Sequence, residues 1–169
     1  MAQRFLNGDY TAPMLRIGLI SDTHGLLRPE AVQFLRGCDH IIHAGDLGRE
    51  HVVTTLAQLA PFTAVRGNND AGEWAASFPD TQIVKLGGVT IFVLHDLKEL
   101  AMRMPPADAQ VVVCGHSHQP RVMQQSSGLL IVNPGSAGPR RFKLPVTAAE
   151  LMIAGPTLSS ARIVDLFGE

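Results

Sequence analysis

The first half of the chain alternates between two hydrophobic periods. Residues 15–21 form a nearly continuous apolar run, the pattern of a strand buried on both faces, and stop at Asp22-Thr23-His24-Gly25. Pro29 then sits where a first helical turn tolerates it. Residues 30–37 follow at helical spacing, with Gly37 at the end. A second apolar run, 40–44, ends in Gly45-Asp46, and residues 50–59 carry the stripe Val52, Val53, Leu56 and Leu59. A third run, 62–66, ends in Gly67-Asn68-Asn69-Asp70. This strand–helix–strand rhythm predicts a sheet with a parallel core.

The second half changes character. Residues 81–95 read as two strands joined by a tight Gly87-Gly88 turn, the second ending in His95. A short helix is expected over 97–102, stopped by Pro105-Pro106. Residues 109–115 run into His116-Ser117-His118, and 120–124, 129–132, 146–153 and 160–166 read as further short strands. No repeat, low-complexity tract or linker divides the chain. The simplest organisation is one domain with two sheets over 15–169, behind a loose N-terminal extension at 1–14.

Composition narrows this picture. At 169 residues the chain can bury one real core, and with 46% hydrophobic but 5% aromatic residues that core should be aliphatic. A formal charge of -1 offers no basic field for gripping a polynucleotide. No stretch has the apolar length of a membrane span, and the polar opening lacks the apolar region of a secretion signal. Cys38 and Cys114, each in or beside an apolar run, read as buried free thiols, which suits a reducing cytoplasm.

The chemistry shows in one regularity. Five apolar strands each end in a short polar loop: Asp22-x-His24, Gly45-Asp46, Gly67-Asn68-Asn69-Asp70, His95 and Gly115-His116-Ser117-His118. Sites in open α/β sheets form outside the carboxyl ends of strands, and glycines there allow sharp turns. The residues delivered are carboxylate, imidazole and carboxamide. Such a nitrogen and oxygen set suits manganese, iron, zinc, nickel or cobalt rather than calcium. Asp22, His24, Asp46, Asn68, His95, His116 and His118 exceed the needs of one tetrahedral ion. They suit two ions sharing a carboxylate at roughly 3.5–4 Å.

In this order the loops resemble those of the calcineurin-like metallophosphoesterases. ISDTHG, IIHAGD, VRGNND, CGHSH and VNPGS resemble the small YfcE-type phosphodiesterases, whose fold the retromer subunit Vps29 shares. The resemblance spans residues 15 to about 140. It implies the metallo-dependent phosphatase fold: an α/β protein (α+β in some classifications), a four-layer αββα sandwich of two mixed β-sheets flanked by helices. It also implies that Asp22, His24 and His118 hold one ion, that Asp46 is shared, and that Asn68, His95 and His116 complete the other. Manganese is the expected metal. Water deprotonated at the ions would attack phosphorus directly, so no nucleophilic Ser or Cys is required.

Two departures from the family pattern stand out. Many relatives carry His where this chain has Asn69, a candidate general acid beside the leaving group; an amide donates a hydrogen bond but releases no proton at neutral pH. Asp96 follows His95 where relatives commonly carry glycine, and is read as facing solvent, with tuning of a ligand as the alternative. Asn68, Asn69 and Arg140 are the candidate substrate contacts, in an Arg140-Arg141 pair. His40, His43 and His51 are read as structural, Asp70 as a cap or an orienter with the structural role favoured, and Asn133-Pro134-Gly135-Ser136 as a turn that can pack on the metal loops. The expected function is hydrolysis of small phosphate diesters in the cytoplasm, with a homodimer a modest expectation from the family. The alternative is a catalytically weak Vps29-like interaction scaffold, which has no chemical need to keep all seven ligands. No polynucleotide or membrane partner is expected.

Overall fold

The computed structural model describes residues 13–168. In chain order the elements are β1 (Met14–Ile20), α1 (Pro29–Leu35), β2 (His40–His43), α2 (Glu50–Leu59), β3 (Phe62–Ala64), α3 (Glu73–Ala76), β4 (Thr81–Leu86), β5 (Val89–Leu94), a 3-10 turn (Leu97–Ala101), β6 (Val111–Val113), β7 (Arg121–Gln124), β8 (Leu130–Asn133), β9 (Thr147–Ala154) and β10 (Thr157–Asp165). They build two five-stranded sheets, in the orders β10-β9-β1-β2-β3 and β4-β5-β6-β8-β7. Both sheets are mixed. β1, β2 and β3 are parallel in the first, and β5, β6 and β8 in the second.

Burial on both faces explains why the strands read as unbroken apolar runs. Along β1, Ile17 and Leu19 point between the sheets, where they join Ile42, Ile91, Val93, Val111, Val113, Val132 and Leu151. Ile20 points outward with Ile41, under Ala31 and Leu35 of α1 and Val52 and Leu56 of α2. On the far face of the second sheet, Phe92, Leu94, Val112, Cys114 and Ile131 are covered by Leu97 and Leu100 of the 3-10 turn. The layers are therefore helix, sheet, sheet and helix, the last reduced to a single turn. Both cysteines are buried and free.

The expected elements are present, with local differences. Of the extension expected over 1–14, residues 1–12 lie outside the described ones, and Met14 already pairs with Ala154 as the first residue of β1. The expected helix over 97–102 is a 3-10 turn whose first backbone N–H groups are capped by Asp96. β10 begins before residue 160 because a bulge between Leu158 and Ser160 keeps it paired to β9. α3 was not foreseen, since one turn carries no period; Trp74 anchors it edge-on against Phe78 at 6.4 Å. No helix among the described residues is long and apolar enough to cross a membrane.

The inter-sheet core sets the separation of the two sets of strand ends. Leu151→Ala, at a fully buried site in that core, should lower unfolding free energy by about 2–5 kcal/mol. Urea denaturation followed by circular dichroism measures this, and an unchanged midpoint would remove the inter-sheet core from this role.

Candidate metal centre

Because the central strands of each sheet are parallel, six carboxyl ends face one edge of the sandwich. β1 delivers Asp22 and His24, β2 delivers Asp46, β3 Asn68, β5 His95, and β6 His116 and His118. Backbone pairing continues past the strand ends and locks the loops together: Asp22 N–H donates to the Gly45 carbonyl, His24 N–H to Asp46, and Gly115 N–H to His95. Two glycines permit the close approach. Gly45 has φ +95°, and a Cβ there would lie 2.5 Å from Nδ1 of His95. A Cβ on Gly67 would meet the backbone nitrogen of Asp46 at 2.1 Å.

The loops hold strained backbone. Six non-glycine residues among those described have left-handed φ, and five of them are Asp22, His24, Asp46, His116 and His118. Each such residue costs about 1–3 kcal/mol and persists only where the surroundings fix it. That cost falls on the side chains the sequence singled out, where it aims them inward.

The seven side chains singled out in the sequence lie close together. Asp22, His24 and His118 form one group of donor atoms, and Asp22, Asp46 and His95 a second, each within 4.8 Å. Nε2 of His118 lies 3.3 Å from Oδ1 of Asp22. Oδ2 of Asp46 lies 3.8 Å from Nε2 of His24 and 3.4 Å from Nε2 of His95. Oδ1 of Asn68 is 3.0 Å from Nε2 of His95 and 3.0 Å from Nδ1 of His116. Both carboxylates thus stand between the groups; the sequence had singled out Asp46 alone.

This set fits divalent cations on two grounds. Asp22 is fully buried, yet its Oδ1 has no hydrogen-bond partner, while Oδ2 accepts from Ser21 Oγ and from His116 N–H. A buried carboxylate oxygen left bare is costly unless a cation faces it. Burial pushes the Asp22 carboxyl above its ordinary range, against the Ser21 hydrogen bond and the His118 ring. Second, Nδ1 of His95 lies 2.7 Å from the Ala44 carbonyl, which can only accept, so Nδ1 carries the proton. The Nε2 lone pair of the neutral ring then faces the Asp46 carboxylate, acceptor against acceptor, and only a second proton or a cation reconciles these two. Metal-free, burial disfavours that second proton but Asp46 outweighs burial and raises the His95 pKa. Burial works against the charge on Asp46 too, yet His95 and two donors from Asn69 hold its carboxyl well below the usual range. Cys114 sits nearby but stays a thiol, its pKa pushed up to about 12 by burial and by Asp22, so it does not join the set.

Several supporting residues were only partly legible. His43 accepts from Gly45 N–H on Nδ1, so its Nε2–H donates to Thr23 Oγ1, 2.9 Å away, and ties the first two loops. Burial, with His95 next, pushes its pKa down to about 3. Asp70 accepts from Gly48 N–H and Gly67 N–H and clamps the second loop to the third. Asn133 donates to the Gly115 carbonyl and Ser136 to that of Asp22, so this turn does pack on the metal loops. Asn69 donates to Asp46 twice, through its backbone N–H at 2.8 Å and through Nδ2 at 2.7 Å. Asp96 does more than face solvent: beyond capping the 3-10 turn, its Oδ2 lies 3.7 Å from Nε2 of His116. His40 bonds Thr63, and His51 sits on the surface of α2, as structural residues. A cleft over Asp46, Asn68, Asn69 and His118 is walled by Arg141 and Phe142; Arg140 is exposed and outside that lining.

Comparison with known proteins agrees with this fold. The profile of the calcineurin-like phosphoesterase superfamily domain matches residues 15–155. A probable metallophosphoesterase from Methanothermobacter thermautotrophicus is 33% identical over 159 residues, covering 87% of this chain and 91% of its own. Among solved structures, Vacuolar Protein Sorting 29 of Cryptosporidium parvum superposes with a TM-score of 0.72 at 18% identity, covering 90% of this chain and 98% of that one. An archaeal phosphodiesterase does so at 0.71 and 24% identity, covering 89% and 99%.

Two outcomes follow from the geometry. Gly67→Ala drives a methyl into Asp46 and should displace Asn68, cutting metal affinity at least tenfold by calorimetry with an unchanged circular dichroism spectrum, on the order of a misplaced ligand. Retained affinity would show that the third loop is not part of the centre. His43 should stay neutral in NMR titration from about pH 8 to about pH 5, where a free imidazole charges near 6.5. Because the unfolded chain then binds the proton that the native one refuses, this residue makes stability fall as pH drops from 6.5 towards about 3. A His43 midpoint near 6.5 would contradict the buried neutral ring.

Proposed function

The chain belongs to the calcineurin-like phosphoesterase superfamily and is a metal-dependent phosphoesterase; from that premise we propose that it hydrolyses small phosphate diesters at a centre of two divalent cations. Asp22, His24 and His118 would hold one and Asn68, His95 and His116 the other, with Asp46 shared. The observation that carries this reading is the pair of donor groups meeting at Asp22 and Asp46, one buried oxygen of which is bare. Manganese is the first candidate metal, with iron, zinc, nickel or cobalt as the others. Bound there, such ions supply Lewis acidity, easing water deprotonation and neutralising phosphoryl oxygens.

The remaining chemistry belongs to the chain. The Ala44 carbonyl holds the His95 ring with Nε2 inward, and Asn69 holds the Asp46 carboxylate through both its donors. Arg141 stands at the cleft wall, where its positive charge suits a phosphoryl oxygen. No ionisable proton donor occupies position 69, so departure of the leaving group depends on its own acidity or on solvent. Aryl esters should therefore react far better than simple alkyl ones. The cleft, at about 330 Å³, sits at the small end of ligand sites, which span roughly 300–1,000 Å³. That size and the formal charge of -1 favour a small ester over a polynucleotide.

Stripping metal and restoring single ions should abolish and then recover hydrolysis of bis-p-nitrophenyl phosphate. If no ion restores activity on this diester or on a monoester panel, the Vps29-like scaffold becomes the better account. Asp46→Asn should weaken binding of both ions together; loss of only one in a metal titration would break the shared-carboxylate assignment. Asn69→His should raise turnover of alkyl esters more than of aryl ones, by up to about 10²–10⁴ if it restores a general acid. An equal rise for both would sink the leaving-group argument.

A further inference from the structure

Phe142 is the most exposed large apolar side chain among the described residues, at 93%, and its backbone has φ +52°. A bulky side chain on left-handed backbone is a genuine outlier, ordinarily left to glycine or asparagine. It is also the only such non-glycine residue described that is not a candidate ligand. A turn closed by Leu144 N–H donating to the Arg141 carbonyl holds it there, between Pro139 and Pro145. The base of the loop is fixed: Arg28 and Ser136 donate to the carbonyls of Gly138 and Pro139. The ring is therefore presented rather than packed away, and its cleft is the one floored by Asp46, Asn68, Asn69 and His118.

The other wall of the centre differs. There Arg66 and Arg103 are both paired with Asp80, and Arg103 also with Glu99, beside Asp96. Those cations are already neutralised, and carboxylates predominate. Arg141 enters no ion pair among the described residues and lines the same cleft as His118. Free cation and bare aromatic ring thus occur as neighbours on one side only.

We propose that Phe142 is a stacking platform selecting phosphate esters that carry a planar aromatic group, an aryl ring or a nucleobase, with Arg141 beside it on a phosphoryl oxygen. This rests on the phosphoesterase reading above and names the substrate class within it. An aromatic face binds any flat ring without reading its edges, and the backbone that carries this one is already fixed by the Leu144–Arg141 turn. The platform therefore selects aromatic over alkyl esters without choosing among bases.

Calorimetric titration of the metal-loaded protein with inorganic phosphate, methyl phosphate, phenyl phosphate and adenosine 5′-monophosphate tests this. The ring-bearing ligands should bind tighter than methyl phosphate. Phe142→Ala should weaken them by roughly 5- to 150-fold, the range of one aromatic stack, leaving inorganic and methyl phosphate as they were; Phe142→Trp should preserve the preference. Phenyl phosphate and the nucleotide separate the two ring sources, since Phe142→Ala weakens whichever stacks. Phe142 joins no core cluster, so folding is not at stake in either variant. Equal affinity for phenyl and methyl phosphate, or equal weakening of all ligands by Phe142→Ala, overturns the platform while the phosphoesterase reading stands. Failure of every phosphate ligand to bind overturns both.

Discussion

The structure turns on one expensive arrangement, the carboxylate of Asp22 buried completely with one oxygen unpartnered. A buried charge without a partner is untenable in a metal-free interior, and desolvation drives such a group towards its neutral form. The surroundings do not relieve it. Ser21 and the His116 backbone take up only Oδ2, and ring nitrogens of His118 and His24 face Oδ1 at 3.3 and 3.9 Å without hydrogen-bonding it. The site makes physical sense as a receptor for positive charge that the protein does not itself supply. Metal binding and stability are therefore linked, because anything bound to the native state alone stabilises it.

That arrangement needs two sheets. A single parallel sheet brings its strand ends into one row, whereas the sandwich faces two rows towards each other across the inter-sheet core. Asp22 and Asp46 come from one sheet, His95 and His116 from the other. The glycines at 45 and 67 remove side chains where these loops would collide. The left-handed backbone at five candidate ligands is the cost of turning the loops sharply enough. The Thr23–His43 hydrogen bond, and those that Asp70 accepts from Gly48 N–H and Gly67 N–H, hold that strain in place, so the loops act as one unit although they lie far apart in sequence.

Much of this was legible in the chain because the signals are local. A strand buried on both faces reads as an unbroken apolar run, and a loop that must turn sharply reads as glycine beside a polar side chain. Those two signals located the strand ends and the polar loops that follow most of them. What escaped notice depends on partners distant in sequence. Asp96 looked like a solvent-facing intrusion because nothing in the sequence places it beside His116. Arg140 and Arg141 are indistinguishable as a basic pair until the turn assigns only the second to the cleft. Phe142 carried no signal, since an isolated exposed phenylalanine has no period. α3 is too short for one.

Asn69 shows how a single substitution ties these levels together. Its amide donates to the same oxygen of Asp46 that Nε2 of His95 approaches, so it aligns a carboxylate standing between the two donor groups. A histidine in that position would carry a proton it could give up; the amide gives geometry instead. Under the proposed function, transition-state stabilisation would then come almost entirely from charge already fixed in place, the setting in which preorganised electrostatics contribute most. Such a centre would, under the proposed function, discriminate between esters by how well the leaving group carries negative charge. Under the proposed reading, the presented aromatic ring at the cleft wall would add binding discrimination of the same sense, favouring aryl groups on both counts.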